Sequence, residues 1–419
     1  MNFWVSPSAA PRLKGTDDVA FAIGVILFAL GIGISIALHE FGHLAAAKAF
    51  KMKVTEYFVG FGPKIFSFRR GETEYGLKAI PAGGYCRIVG MTALEEVDPS
   101  ETSRAMYNKP VWQRVIVLSA GSLVHFVLGF LILLIMAFSM GLPNIDGRAS
   151  VGVISDCVSD QDPESGQLVP CAPGDPAPAR DAGIQPGDEI IAVAGSATPL
   201  YTDVLEQTRD AEGPTEFTIV RGGEEQTVTV DVATVQRLPL DGGDGLESVG
   251  AVGLGQAATF HYEGLAAVPA TVDFTGTMFV ETFQRLLELP ERIPALFTAI
   301  FGGERDMNTP VSVVGASIIG GDAVDQGLWE LFLLLLATLN FFVGVFNLLP
   351  LLPLDGGHIA VNVYERVRDM VRGWRGKPRG GPVDYTKLLP ITYAAVVIGG
   401  AFVLLTLTAD IVNPLRLTQ

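Results

Sequence analysis

The amino-acid sequence predicts a polytopic α-helical membrane protein. It is expected to have about four transmembrane helices, a cytoplasmic β-element that re-enters the membrane, and an α+β domain on the opposite side. Three observations predict this. Apolar residues make up 49% of the chain and charged residues only 18%, with a mean hydropathy of +0.38; a soluble chain of this length carries more charge. Four stretches, 19–38, 115–145, 331–354 and 388–409, contain no Asp, Glu, Lys or Arg. Each reaches the roughly 20 residues needed to cross a hydrocarbon core of about 30 Å. Charge is also segregated. Segment 48–114 carries eleven Lys and Arg and 366–387 carries seven, whereas 141–325 carries eight against twenty-nine Asp and Glu. The excess of cations places the first two segments in the cytoplasm, and the acidic segment and both termini outside.

The elements follow in order. Residues 1–50 hold an outer tail and the first transmembrane helix, whose apolar run is too long for a cleaved signal peptide. Residues 51–110 form the cytoplasmic β-element and a loop. Strand-like alternation flanks Gly71, and the apolar run Gly60-Phe61-Gly62-Pro63 is the part expected to dip into the membrane. Residues 111–143 are the second transmembrane helix, and 144–258 the outer α+β domain. Within that domain Arg221-Gly222-Gly223 turns one strand into the next. Cys157 and Cys171 both fall there, in a compartment that permits a disulfide, while Cys86 is expected as a cytoplasmic free thiol. Residues 259–327 read as an interfacial linker broken by Pro and Gly. Residues 328–358 form the third transmembrane helix, 359–387 a cytoplasmic loop, 388–410 the fourth helix and 411–419 an outer tail. The net charge of −16 resides mostly in the outer segment. It describes a solvated surface and gives no support to nucleic-acid binding.

Chemistry is concentrated in His39-Glu40-Phe41-Gly42-His43, at the cytoplasmic end of the first apolar stretch. Residues four apart share a helix face, so both imidazoles can reach one zinc ion while Glu40 stands beside it as general base. Chance alone predicts about 0.003 such patterns in a chain of this composition. Ionisable groups at a transmembrane helix are also costly and usually functional. A third protein ligand is needed, with a fourth position left for water. Asp355, in Leu354-Asp355-Gly356-Gly357 at the close of the third helix, is the candidate because opposite chain directions bring it to the depth of the histidines. His125 reads as a hydrogen-bonded bundle histidine, with a polar contact near the site as the alternative; His358 reads as a neighbour of the site, and His261 as a surface residue.

These motifs resemble the bacterial site-2 proteases, homologues of the regulator-of-sigma-E protease. The likeness is carried by HExxH in the first helix, Asn347-x-x-Pro350 leading to Leu354-Asp355-Gly356-Gly357 in a later one, and Gly183-Ile184-Gln185-Pro186-Gly187-Asp188 between them, which is similar to a PDZ signature. Thr309-Pro310-Val311-Ser312-Val313 matches a family segment before the third helix. The resemblance implies that His39, His43 and Asp355 hold one Zn2+ and that Glu40 is the general base. It implies that Asn347, Gly83, Gly84 and Tyr85 position substrate. The outer domain becomes PDZ-like, and the chain is placed in the bacterial cytoplasmic membrane with both termini extracytoplasmic.

The expected activity is zinc-dependent hydrolysis of peptide bonds within transmembrane segments of single-pass membrane proteins. Anti-sigma factors already cut by an upstream site-1 protease are the expected type of substrate. Membrane lipid is an expected partner. Three departures stand out: Pro350 and Pro353 in place of P-x-P, Gly121-Ser-Leu-Val-His125-Phe126 in place of G-P-x-x-N-F, and one PDZ unit where some members have two. The alternatives are a membrane zinc peptidase acting on peptide tails at the cytoplasmic surface, an inactive PDZ scaffold, and a zinc transporter.

Overall fold

The computed structural model describes residues 17–92, 95–163, 165–240, 245–306 and 308–417. The chain divides into two compact units, 137–264 and the remainder. Four helices are long and apolar enough to cross a membrane: Val19–Ala49, Val111–Ser139, Trp329–Asn347 and Tyr385–Val412. The protein is a multi-pass membrane protein.

The larger unit begins with α1 (Asp17–Ala49), whose 33 residues make a rod of about 50 Å. The helix carries the His39–His43 turn in its interior and runs on to Ala49. A long hairpin follows, β1 (Val54–Arg70) and β2 (Thr73–Ile88), turning at Gly71. Its register shows two strands folded on themselves: Val59 pairs with both Leu77 and Gly84, so Glu56–Val59 lies between two stretches of β2. The bends fall at Gly60 and Gly62, both with positive φ, where a side chain would be strained. Tyr57 ties the hairpin to α1 by donating to the Ala37 carbonyl at 2.7 Å. The second span is α2 (Val111–Ser139).

The unit 137–264 contains β3 (Leu142–Pro143), β4 (Val151–Ile154), α3 (Pro178–Asp181), β5 (Glu189–Val193), β6 (Ser196–Ala197), α4 (Tyr201–Arg209), β7 (Gly213–Arg221), β8 (Glu224–Arg237), β9 (Glu247–Ala251), β10 (Leu254–Gln256) and β11 (Thr259–Phe260). One sheet has the order β6-β5-β7-β8-β9, while β4 pairs with β10 and β3 with β11. Alternate residues of β7 point inward, and Phe217 and Ile219 are fully buried with Ile190, Val193 and Val230. Each such side chain contributes about 1.5–3 kcal/mol by leaving water. The Gly183–Asp188 turn is locked by charge: Arg221 donates to both Asp188 oxygens at 2.7 and 2.6 Å and to the Gly183 carbonyl at 2.9 Å. Cys157 and Cys171 form a disulfide with a Cα–Cα distance of 5.9 Å, and Cys86 is free.

The chain then returns to the larger unit through α5 (Ala267–Ile300), α6 (Val313–Asp325), α7 (Trp329–Asn347), α8 (Asp355–Trp374) and α9 (Leu389–Val412). Two expectations change here. The segment read as a broken linker is largely the 34-residue α5, which continues through Pro290 and Pro294. Both arms of the helix are packed: Phe274 and Met278 are buried before the prolines, Leu296 and Ala299 after them, and Phe279 meets the rings of Phe126 and Phe341. The third span also ends at Asn347, and Asp355 opens a separate helix where a loop was expected. Residues before proline disfavour helix, so Pro350 and Pro353 force the break. A Cβ at Gly356 or Gly357 would collide with the backbone of Leu348 or of Leu351 and Leu352, so the doubled-back chain requires both glycines.

Small residues set the helix spacing, as close backbone approach in a bundle requires. Gly24 and Gly321 meet between α1 and α6. Gly129 receives the ring of Phe341, and Gly344 receives the ring of Phe126, which clasps α2 to α7. Ser312 caps α6, and the buried Asp410 of α9 pairs with Arg305 at 2.6 Å and accepts from the Ser312 amide at 2.7 Å.

Candidate metal centre

The helical period places His39 and His43 on one face of α1, and Gly42 between them lets that face approach α2. A Cβ at Gly42 would meet the Ala120 carbonyl. From the other side Gly121 lies directly against both imidazoles, where a Cβ would stand 2.5 Å from His39 Cε1. Both histidines are buried, at 8% and 7% exposure.

The two Nε2 atoms lie 3.2 Å apart. Asp355 Oδ2 is 3.5 Å from the Nε2 of His39 and 3.3 Å from that of His43. Among the described residues, His39, His43 and Asp355 form the one cluster of His, Cys, Asp and Glu with metal-ligand spacing. Four-coordinate zinc, with ligands at about 2.0–2.1 Å, has neighbouring ligand atoms about 3.3 Å apart. All three distances match that edge, so the donor set fits a zinc ion with one position left open. His43 Nδ1 donates to the Val117 carbonyl at 2.7 Å, which leaves its Nε2 lone pair facing the cluster.

Glu40 is half-buried beside the cluster. The strand β2 passes so close that a Cβ at Gly84 would lie 2.9 Å from Glu40 Cγ and 3.1 Å from the Phe58 carbonyl. Of the residues expected to position substrate, Gly84 therefore touches Glu40 directly. Gly83 lies next to it with φ near 141° and packs on Phe61. Tyr85 stacks on Phe58 and Phe61, and its hydroxyl donates to Glu56 at 2.7 Å. Asn347 is the last residue of α7, on the far side of the proline break from Asp355.

Sequence reasoning underweighted one pair. The His125 ring centroid lies 4.9 Å from that of His39, and His125 Nδ1 is 2.9 Å from Asn340 Oδ1. Asn340 in turn donates to the Leu336 carbonyl at 2.8 Å. The alternative of a polar contact near the site therefore describes His125 as well as the hydrogen-bonded reading. The signal was its position four residues after Gly121, on the same face of α2. Asn340 gave a weaker one, as an amide inside an apolar span. His358 contacts Tyr385 rather than the cluster, with Nδ1 3.4 Å from the hydroxyl; burial lowers its pKa and Asp355 offsets part of that. Burial pushes the Cys86 thiol up to about 12, so it stays protonated at neutral pH.

Comparison with known proteins gives a consistent result. The model of peptidase family M50 matches residues 27–378. A zinc metalloprotease Rip1 from Mycobacterium bovis is 47% identical over 406 residues, covering 95% of this chain and 100% of its own. The protein of the same name from Mycolicibacterium smegmatis is 45% identical over 410 residues, with 95% and 100% covered. A putative zinc metalloprotease from Fusobacterium nucleatum is 29% identical over 366 residues, covering 87% of this chain and 94% of its own.

Proposed function

The chain belongs to peptidase family M50 and is a zinc metalloprotease, and from that premise we propose that it cleaves peptide bonds within the transmembrane segments of single-pass membrane proteins. The observation that carries this reading is the convergence of His39, His43 and Asp355, with Glu40 beside them, on a helix apolar enough to cross a membrane. His39 and His43 would hold the metal through Nε2 and Asp355 through Oδ2. Bound zinc supplies Lewis acidity that polarises a carbonyl and makes water a nucleophile near pH 7. Glu40 takes the proton from the attacking water and passes it to the leaving amine.

A substrate helix must unwind before its peptide bonds are accessible. The β2 stretch at Gly84, against Glu40, offers a backbone edge on which an unwound segment can add as a strand. Gly83 and Tyr85 shape that stretch, and Asn347 steadies substrate from the end of α7. Phe61, Ile65, Phe66, Phe68, Leu77 and Ile80 of the hairpin are all exposed apolar side chains, which supports re-entry of this element into lipid.

The unit 137–264 acts as a PDZ-like docking or size filter outside the cell. The Gly183–Asp188 turn supports this reading, and the Cys157–Cys171 disulfide supports an oxidising compartment. With the cationic segments inside, both termini lie outside a bacterial cytoplasmic membrane. The substrate is of the anti-sigma factor type, trimmed first by a site-1 protease.

The test is mass-spectrometric mapping of the cut in a single-pass model substrate, with zinc content measured on wild type and Asp355→Ala. The expected cut lies inside the hydrophobic segment, and the variant loses zinc and activity together. A cut confined to the polar tail would favour a surface peptidase. Full zinc in the variant would remove Asp355 from the ligand set. Deleting 144–258 should erase the preference for trimmed over intact substrate; an unchanged preference removes the filter.

A further inference from the structure

Away from the metal centre, a cavity of about 970 Å³ opens where two of the four spans begin. The second span starts at Val111 and the fourth at Tyr385, and both residues line it. The middle of α8 forms another wall. The charge on these walls is unbalanced. Lys109, Arg114, Arg366, Arg368 and Arg379 face Glu365 and Asp369. Both acids are already engaged. Glu365 holds Arg114 at 3.1 Å and accepts from the Val383 amide at 2.7 Å. Asp369 holds Arg368 at 3.1 Å and accepts from the Gly380 amide at 3.0 Å. Among the described residues Lys109, Arg366 and Arg379 form no salt bridge. Five cations thus share one opening with two acids, and the buried Arg114 Nε among them has no hydrogen-bond partner. Clustered like charges repel, and an anion between them relieves that repulsion.

The remaining wall is apolar. Trp112, Val115 and Ile116 line the same cavity on the first turns of the second span, and Trp112 and Ile116 are exposed. Cations at the foot of a span, with an indole and aliphatic groups leading along it, match a lipid with an anionic head. A free phosphate would use the cations and leave the apolar wall unused.

We propose that this cavity is a binding site for an anionic phospholipid. Its headgroup phosphate lies among Lys109, Arg366 and Arg379, and its acyl chains run along Trp112 and Ile116. Arginine suits such a head through paired N–H groups.

The experiment uses the full chain in nanodiscs, with Trp4, Trp329 and Trp374 replaced by Phe so that Trp112 is the one remaining indole. Phosphatidylglycerol and phosphatidylcholine, each brominated on the acyl chains, are compared at equal mole fraction as quenchers of Trp112. Brominated phosphatidylglycerol should quench more strongly, and unlabelled phosphatidylglycerol should reverse it. Arg366→Gln or Arg379→Gln should each weaken the preference about fivefold, and the triple variant with Lys109→Gln about 100-fold. Arg366→Lys should retain most of it. Zinc content of each variant reports whether the fold persists, and the single variants serve if the triple one does not fold. Equal quenching by the two lipids, or an undiminished preference in the single and triple variants, overturns the proposal. Reversal by millimolar inorganic phosphate as effective as reversal by phosphatidylglycerol also overturns it, and identifies a soluble-anion site instead.

Discussion

Gly121→Ala places one methyl group in the wall of the metal centre, and its effect can be worked from the structure. The new Cβ would stand 2.5 Å from His39 Cε1 and 2.7 Å from His39 Nδ1, with His43 Nε2 also in collision. Ordinary contact needs roughly 3.4 Å or more, so the imidazoles must withdraw by about 0.7–1.0 Å, or the helices must part. Zinc coordination tolerates about ±0.2 Å per ligand. In an unconstrained helix the substitution would stabilise by up to about 1 kcal/mol, because alanine loses less backbone entropy than glycine. Overpacking opposes this with about 1–3 kcal/mol. Global stability should therefore fall only modestly, while zinc affinity falls about 10–100-fold, the range seen when a metal site's supporting shell is disturbed. Chelator competition with metal quantification measures the affinity, and cleavage of a model substrate should fall in step. Gly33→Ala is the control, since its Cβ would meet nothing within 4 Å. Wild-type zinc affinity in Gly121→Ala would refute the claim that α2 confines the two imidazoles.

Three further outcomes are expected. Glu40→Gln keeps the shape of the side chain and the metal ligands but removes the base, so zinc content should persist while turnover drops at least about 100-fold; substantial cleavage by that variant would assign the base elsewhere. In the unit 137–264, burial raises the Asp188 pKa but Arg221 and the Gln185 amide lower it by more, so its folded value lies below the unfolded value of about 3.9. The stability this carboxylate contributes is complete above the unfolded pKa and is lost as pH falls through the folded one. Arg221→Ala should cost about 2 kcal/mol at pH 7, less than a fully buried pair because Arg221 is 31% exposed, and the cost should shrink as pH falls through the lowered Asp188 pKa; denaturant unfolding monitored by hydrogen exchange within 137–264 measures both. Cys157→Ser opens a loop closed between residues 14 apart and should destabilise the same unit by about 3 kcal/mol, read as an earlier local transition in the same assay.

Much of the site was legible because its determinants are local. Spacing of four within one helix brings His39 and His43 together whatever surrounds them, and an apolar stretch of about 20 residues announces a span by length alone. Asp355 could be chosen for its chemistry and its distance from the third span, but not for its setting. It opens α8 rather than closing α7, because two prolines and two glycines act together with a backbone they meet only after folding. The continuity of α5 was hidden for a similar reason: Pro290 and Pro294 read as breaks until residues on both sides of them, Met278 and Thr282 before and Leu296 and Ala299 after, are seen to be buried in the bundle.

The sequence by itself determined the membrane class, the metal-binding pattern and the base beside it, since each depends on residue type and near-neighbour spacing. Only the tertiary structure decided that Asp355 comes within 3.5 Å of both imidazoles, that Gly121 and Gly84 line the site, and that His125 with Asn340 stands behind His39. Those relations join residues from separate helices and a folded hairpin. They follow from the depth and rotation at which each element packs, which no single segment encodes.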